Sequence, residues 1–390
     1  MTARPPVVIA GGAANALSIA RSLGALGVRV HGLGLPASVN ASRFVEPLPV
    51  GAGDPEQSWP EFLLGPQAEA LRGAVLLAGS DAGITVLARH RERLLARFRL
   101  DLSEVDAQLA MLDKLTTYKL AVAAGVPTPR FWEVESAEDL ARHQDEYVYP
   151  LIVKPLLSHR YQAVFPDKFR VVANLQELRT AFADVRAAGL AVMLVEQIPG
   201  PDSRLVSYYT YIDETGRHTF DFTKRVLRRY PPGMGLTCHH VTDWNPAVRD
   251  VSLQLFKHVG LRGLGNAEFK LDRRDGLLKL IECNARFTDA NVLVAAAGLD
   301  LARYVYFRAI GTPQELPSHY VRGLRMIYLS NDFRSFRLLR RRGELTFGAW
   351  LGSQFHRQTF PFLRLDDPLP ALSRAATRLA TFARARLPRR

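Results

Sequence analysis

"NAEFKLDRRDGLLKLIECNAR", residues Asn266 to Arg286, reads as a β-hairpin. Two β-prone runs, Ala267 to Asp272 and Leu277 to Asn284, flank Arg274-Asp275-Gly276. Asp-Gly between such runs is a strong hairpin signal, and Gly suits the φ > 0 position of a three-residue loop. That loop sets Glu268 opposite Glu282. Period-2 alternation then places Ala267, Phe269, Leu271, Ile281 and Cys283 on one apolar face. Glu268, Lys270, Glu282, Asn284 and Arg286 take the other. Like charges directly opposite on a sheet are destabilising. Two carboxylates and an amide oxygen are nevertheless the hard-oxygen cluster that Mg²⁺ favours when phosphates and waters complete its shell. A solvated face with incidental acids is the bland alternative; Asn284 and Arg286 on the same face weigh against it.

Upstream, "PVVIAGGAANALSIARSLGALGVRVHGLG" reads strand, glycine turn, helix, strand, a βαβ unit. Gly11-Gly12 permits close backbone approach, but G-x-G-x-x-G is absent, which counts against a dinucleotide-dependent oxidoreductase. "AVLLAGSD" (Ala74 to Asp81) is a later buried strand, and this α/β domain spans residues 1–115. "DKLTTYKLAVAAGVPTPRFWEV" gives a helix ended by Gly125, with Pro127 and Pro129 forcing an extended exit. Residues 116–190 alternate strands and helices, and 191–315 carry a second sheet that includes the hairpin. The fold class expected is α/β and α+β, with a basic helical extension over 316–390.

Composition narrows the function. Of 390 residues, 47% are hydrophobic and 23% charged, enough for two or three domains. Two cysteines exclude a disulfide scaffold and suit a reducing compartment. No run approaches the roughly 18–20 apolar residues of a membrane span. Gly11-Gly12 and Arg21 break the early apolar stretch, so no signal peptide is read there. The net charge is +13, but residues 321–390 hold 15 Arg, no Lys and 4 acidic residues, or +11. The first 320 residues carry only about +2, which argues against a nucleic-acid-binding core.

Several residues outside the hairpin are suited to phosphate or nucleoside chemistry. Lys154 ends the apolar strand Leu151-Ile152-Val153, where an ammonium can meet a phosphate as a point charge. Lys114 precedes a helix. Glu196 ends the strand Val192 to Val195; a strand-end carboxylate can accept from an exocyclic amine while neighbouring backbone serves a ring nitrogen. Surface lysines and a turn carboxylate are the bland readings of each alone. Cys238, His239 and His240 are contiguous and lack tetrahedral zinc spacing. They are expected in a substrate loop with Tyr230 and Gly233, where Arg228 and Arg229 can grip a carboxylate bidentately.

The ordered set Lys114, Lys154, "VEQIPGPD", Glu268 and "IECNARF" resembles the ATP-grasp superfamily, in particular its carboxylate–amine ligases of the D-aspartate ligase-like and carbamoyl-phosphate-synthase-large-chain-like kinds. The resemblance covers about residues 1–315, and its E-x-N-x-R element is the most specific match. It implies an ATP-grasp fold: a Rossmann-like domain ahead of the ATP-grasp (1–115), a lid subdomain (116–190), a subdomain bearing the Mg²⁺ and phosphate site (191–315), then the Arg-rich extension (316–390). It implies that Glu268, Glu282 and Asn284 hold Mg²⁺, with Mn²⁺ able to replace it. Arg286 would stabilise the transferring phosphoryl group, and Lys114 and Lys154 would contact the α- and β-phosphates. Glu196 with Gln197 and Ile198 would hold adenine, Asp202 would accept from ribose, and Lys224 would be a further phosphate lysine. One departure stands out: "LLSHRYQAVFPDKF" has no glycine where many members close a Gly-rich loop, leaving Ser158, His159 or Lys168 as substitutes.

The implied reaction activates a small-molecule carboxylate as an acyl phosphate and joins it to an amine, with a cell-envelope or polysaccharide acceptor among the substrates expected. The rival is a turnover-deficient ATP-binding module that recruits partners to a membrane. The segment from Pro370 places Leu372, Ala375, Ala376, Leu379, Phe382 and Ala383 on one helical arc with Arg374, Arg378 and Arg384 mainly off it. It reads either as a helix packed on its own protein or as a peripheral membrane contact through residues 370–390 of a cytoplasmic protein. No nucleic-acid partner is expected, and the sequence does not fix the oligomeric state.

Overall fold

Four apolar residues precede the first glycine turn, and in the computed structural model they form β1, Val7–Ala10, fully buried. The structure describes residues 4–51 and 53–386, the side chains of 381–386 excepted. Phe382, Ala383 and Arg384 of the expected tail arc therefore lie outside the described side chains. The chain divides into two units: Met1–Leu102, Arg286–Tyr328 and His356–Arg390 form one, and Ser103–Ala285 with Leu329–Phe355 the other.

In the first unit β1 is joined by β2 (Val30–Leu33), β3 (Glu46–Pro47), β4 (Val75–Ala78) and β5 (Arg99–Leu100). The order is β3-β2-β1-β4-β5 and every pairing is parallel. This is the doubly wound order in which strand sequence reverses beside β1. The helix Ala14–Gly24 follows β1. Gly12 has φ +101°, and a Cβ there would stand 2.8 Å from the Gly79 carbonyl oxygen, so the first turn requires glycine. Arg21 of that helix is buried and donates to Asp367 at 2.8 Å and to the Phe362 carbonyl, tying the C-terminal segment into this unit.

The second unit holds two sheets. The first contains β6 (Phe131–Val134), β7 (Leu151–Pro155), β8 (Arg170–Val172) and β9 (Val192–Glu196), antiparallel in the order β6-β9-β7-β8. The helix Leu175–Ala187 packs Leu178, Phe182 and Val185 with Leu151, Val153 and Leu194 of this sheet. The second contains β10 (Leu205–Ile212), β11 (Phe222–Tyr230), β12 (Leu236–Asp243), β13 (Gly263–Asp272) and β14 (Leu277–Asn284), in the order β14-β13-β10-β11-β12. One face of it, with Val206, Tyr208, Ala267, Phe269, Leu280 and Cys283, packs in a core with the helices Lys114–Ala123 and Pro246–His258.

The hairpin keeps the expected Glu268–Glu282 pairing but reaches it differently. Asp272 pairs with Leu277, so the loop is four residues long, not three. A register shift follows: Phe269 faces Leu280 while Glu268 still faces Glu282, leaving Ile281 as a β-bulge. The bulge cancels the longer loop. It also corrects the apolar face, where fully buried Leu280 stands in place of Ile281.

Two loop expectations are corrected in this unit. "GLTCHH" is not a loop: Cys238, His239 and His240 lie on β12 and are buried, and burial pushes the Cys238 thiol up to about 12. Arg228 does not offer itself to a substrate. It is buried on β11 and donates to both oxygens of Asp332, on the helix Leu329–Arg341, at 2.6 and 3.1 Å. Burial alone would raise the Asp332 carboxyl, but hydrogen bonds and charge from His239 and Arg228 hold it well below the usual range. Removing one partner of a buried pair strands the other's charge. Asp332→Ala is expected to cost about 3–5 kcal/mol in urea unfolding, and the pairing predicts that Arg228→Met with Asp332→Leu recovers most of it.

Candidate active site

The face of the second sheet opposite its core carries a row of polar side chains. Glu282 on β14 pairs with Glu268 on β13, Glu268 with Ser207 on β10, Ser207 with Lys224 on β11, and Lys224 with Thr242 on β12. Directly paired residues point to the same face, so five consecutive strands place these side chains in one lateral line. Ser207 is the link. Its hydroxyl donates to Glu268 Oε2 at 3.3 Å and accepts from Lys224 Nζ at 3.0 Å. Lys224 Nζ lies 4.0 Å from Glu268 Oε2. Burial lowers the Lys224 ammonium's pKa, and the charges of Glu268 and Glu282 oppose that.

Next along the hairpin, Asn284 pairs with Asn266 and donates its Nδ2 to the Asn266 side-chain oxygen at 3.3 Å. Its own oxygen is then the group available to a cation. Among the described residues no three His, Cys, Asp or Glu side chains cluster as a metal cage. Two carboxylates and an amide oxygen are a hard-oxygen set that fits Mg²⁺, which keeps waters and phosphate oxygens rather than a full protein shell.

Lys154, on β7, is buried. Its Nζ donates to the carbonyl of the bulged Ile281 at 2.6 Å and to the Tyr118 hydroxyl at 3.2 Å. Tyr118 donates to the same Ile281 carbonyl at 3.1 Å. The bulge thus turns a backbone acceptor toward the lysine. Burial, followed by the Lys114 charge, pushes the Lys154 ammonium down to about 7 against the opposing carboxylates of Glu282 and Glu268. Lys114 begins its helix and donates to Ser158 Oγ at 2.8 Å. Ser158 opens a helix, Ser158–Val164, so the first half of the glycine-free segment is helical.

The nucleoside candidates sit at the end of β9. Glu196 is buried, and its carboxylate is already engaged by Arg274 at 2.6 Å and by the Arg130 backbone N–H at 3.3 Å. Arg274 belongs to the hairpin loop and is also held by Asp272. The Ile198 carbonyl accepts from Lys270 at 2.8 Å, while Gln197 is half-buried. Asp202 accepts from the Gly233 backbone N–H at 3.0 Å through Oδ2, and Arg229 Nη1 lies 3.8 Å from its Oδ1. That Oδ1 is buried without a hydrogen-bond partner among the described residues, which suits an incoming hydroxyl donor.

Arg286 follows the hairpin in sequence and belongs to the other unit. There its Nε donates to Asp81 at 2.6 Å, at the start of the helix after β4, and its Nη1 to the Phe287 carbonyl. Asn15 donates to that carbonyl too and to the Gly79 carbonyl, fixing the segment beside the first turn. Ser207, Tyr118, Arg274 and the Ile281 bulge were not read from the sequence. Ser207 meets Glu268 61 residues away, Arg274 meets Glu196 78 away and Tyr118 meets Ile281 163 away, and a bulge at Ile281 has no glycine to announce it.

Comparison with known proteins agrees with this architecture. Residues 241–317 match the family described as carbamoyl-phosphate synthase L chain, ATP binding domain. A D-aspartate ligase of Enterococcus faecium is 23% identical over 59% of this chain and 57% of its own length. A D-alanine–D-alanine ligase of Methylococcus capsulatus is 27% identical over 52% of this chain and 67% of its own. The chain thus spans little more than half of the first of these relatives. The biotin carboxylase domain of Hydrogenobacter thermophilus 2-oxoglutarate carboxylase, solved with MgADP and bicarbonate, superposes with a TM-score of 0.63 at 18% identity, over 83% of this chain and 73% of that one, a likeness of fold. Over part of its length the chain is thus similar to carboxylate–amine ligases, and its fold is that of the ATP-grasp proteins. Among the described residues no helix is long and apolar enough to cross a membrane.

Proposed function

We propose that the protein is an ATP- and Mg²⁺-dependent ligase that activates a carboxylate as its acyl phosphate and joins it to an amine, releasing ADP and phosphate. The observation that carries this reading is the row Glu282, Glu268, Ser207, Lys224 along one face of the second sheet. A carboxylate is a poor acyl electrophile at neutral pH; transfer of the γ-phosphoryl group makes one oxygen a leaving group, and the amine then displaces phosphate. Catalysis of this kind is positioning and charge neutralisation, with no protein nucleophile. Glu268, Glu282 and Asn284 would hold Mg²⁺, which when bound neutralises phosphate charge. Lys114 and Lys154 serve the α- and β-phosphates, Lys224 the transferring group, and Arg286 the acyl phosphate. Asp202 accepts from ribose, with Glu196, Gln197 and Ile198 at adenine. An adenine amine reaching Glu196 competes with Arg274, so the arginine shares or yields that carboxylate on binding.

The amine proposed is an amino acid, in keeping with what the two relatives are named for, and the acceptor proposed belongs to cell-envelope or polysaccharide assembly. The cytoplasm, where ATP is supplied and two free thiols persist, is the location proposed. Peripheral membrane contact through residues 370–390 belongs to the same reading, and Leu372 and Leu379 are exposed on that helix. The second reading, a turnover-deficient nucleotide-binding module, draws on the helix that replaces the expected phosphate loop. One assay separates them. Mg·ATP is incubated with pooled amino acids and carboxylates, and ADP and phosphate are measured. Release that requires both an amine and a carboxylate supports the ligase; nucleotide binding without release under any combination supports the module.

A further inference from the structure

We propose that the helices Leu329–Arg341 and Phe347–Gly352 form a docking surface for an anionic phospholipid bilayer, a different stretch of sequence from the helix Leu369–Arg386 and independent of the ligase reading. The surface has a rigid floor. Phe336 and Trp350 stack with centroids 4.6 Å apart and planes 19° apart, and Trp350 donates its indole N–H to Asp332 at 2.9 Å. Asp332 is itself locked by Arg228. Phe333 and Phe347 flank the stack at 5.7 and 5.9 Å from Trp350.

What rises from this floor is apolar and uncovered. Phe347 is 51% exposed, Leu351 39% and Phe355 76%, at successive four-residue steps, and Phe333 is 46% exposed on the neighbouring helix. Soluble surfaces seldom leave four large apolar side chains uncovered within one short segment without a use for them. The same segment carries Arg334, Arg337, Arg340, Arg341 and Arg342, all exposed, with Arg340 over the Phe336 ring. Of the two acids in this segment Asp332 is buried and paired inward, leaving only Glu344 at the surface. Exposed aromatics and Leu in one segment with exposed arginines suit the boundary between headgroups and acyl chains, with guanidinium groups on lipid phosphates. A second copy of the chain is disfavoured because an isologous contact would oppose five arginines to five. A nucleic acid would leave Leu351 and the nearby exposed Leu329 with nothing to bury against.

The test is vesicle flotation of the full chain with phosphatidylcholine alone and with phosphatidylserine added, at low and high salt. Three variants are compared at matched melting temperature: Phe347→Ser with Phe355→Ser, Arg340→Glu with Arg341→Glu, and Leu372→Ser with Leu379→Ser. The proposal expects binding to the serine-containing vesicles only, weakened by salt. It expects at least about tenfold weaker binding for the first two variants and a clearly smaller loss for the third. It is overturned by no vesicle binding, by equal binding of all three variants, by loss only in the third, or by a concentration-dependent dimer that the first variant abolishes.

Discussion

Glu282→Gln is expected to lower turnover by about 10²–10³-fold while leaving the protein as stable as before, or slightly more so. The two effects have one cause. Glu282 faces Glu268 directly across the hairpin. Without a cation the pair is a like-charge cross-strand contact, which costs roughly 0.2–1 kcal/mol. Neutralising one member removes that cost and keeps the shape of the side chain. In turnover the same carboxylate is proposed to hold Mg²⁺ against the phosphates, so its neutralisation removes charge where it is needed. Arg286→Ala is expected to lose a similar factor, but without the gain in stability, because it leaves Asp81 without its 2.6 Å partner. The checks are ADP release for activity and thermal melting for stability. Normal turnover in Glu282→Gln would remove the proposed site. Lost turnover with an equal loss of melting temperature would make Glu282 a structural residue.

The part of this site legible in the sequence is the part that local rules govern. Glu268 and Glu282 lie within one hairpin, so alternation and an Asp-Gly turn suffice to bring them together. Even there the agreement hides two compensating departures, a four-residue loop and a bulge at Ile281. The strand lysine Lys154 is legible as a lysine ending an apolar run, but its environment is not. Its partners, Tyr118 and the Ile281 carbonyl, come from a helix and a hairpin that only tertiary packing places beside it. Ser207 is unremarkable in "LVSYYTYI"; it becomes the link of the polar row because β10 runs between β13 and β11. Arg228 shows the reverse failure. Arginine pairs beside a Pro/Gly stretch read as a substrate grip, whereas the partner that claims Arg228 lies 104 residues on. Side chains whose role depends on pairings across the fold are those that single-sequence reading assigns by type and misplaces by context.

Lys154 carries the other large expectation, in pH as well as affinity. Its ammonium is held near 7, whereas a lysine in the unfolded chain titrates near 10.4. Between those values the unfolded chain binds the proton that the folded chain has lost. Stability therefore rises with pH through that window and is lowest below 7, where a buried charge must be carried; the full excursion is roughly 5 kcal/mol. Lys154→Met removes the group and should flatten this slope, so melting temperatures of the two proteins converge at high pH and separate in the variant's favour at low pH. Nucleotide reverses the balance. A phosphate beside Lys154 favours the ammonium, so binding at pH 8 should draw a proton from solution, read as a dependence of the calorimetric enthalpy on buffer ionisation. In Lys154→Met that proton uptake should vanish and nucleotide should bind about 10- to 150-fold more weakly, the worth of one charge-assisted hydrogen bond. A lysine that serves only the Ile281 carbonyl and the Tyr118 hydroxyl would show the stability slope without proton uptake. That result would leave the fold as described and take Lys154 out of the phosphate site.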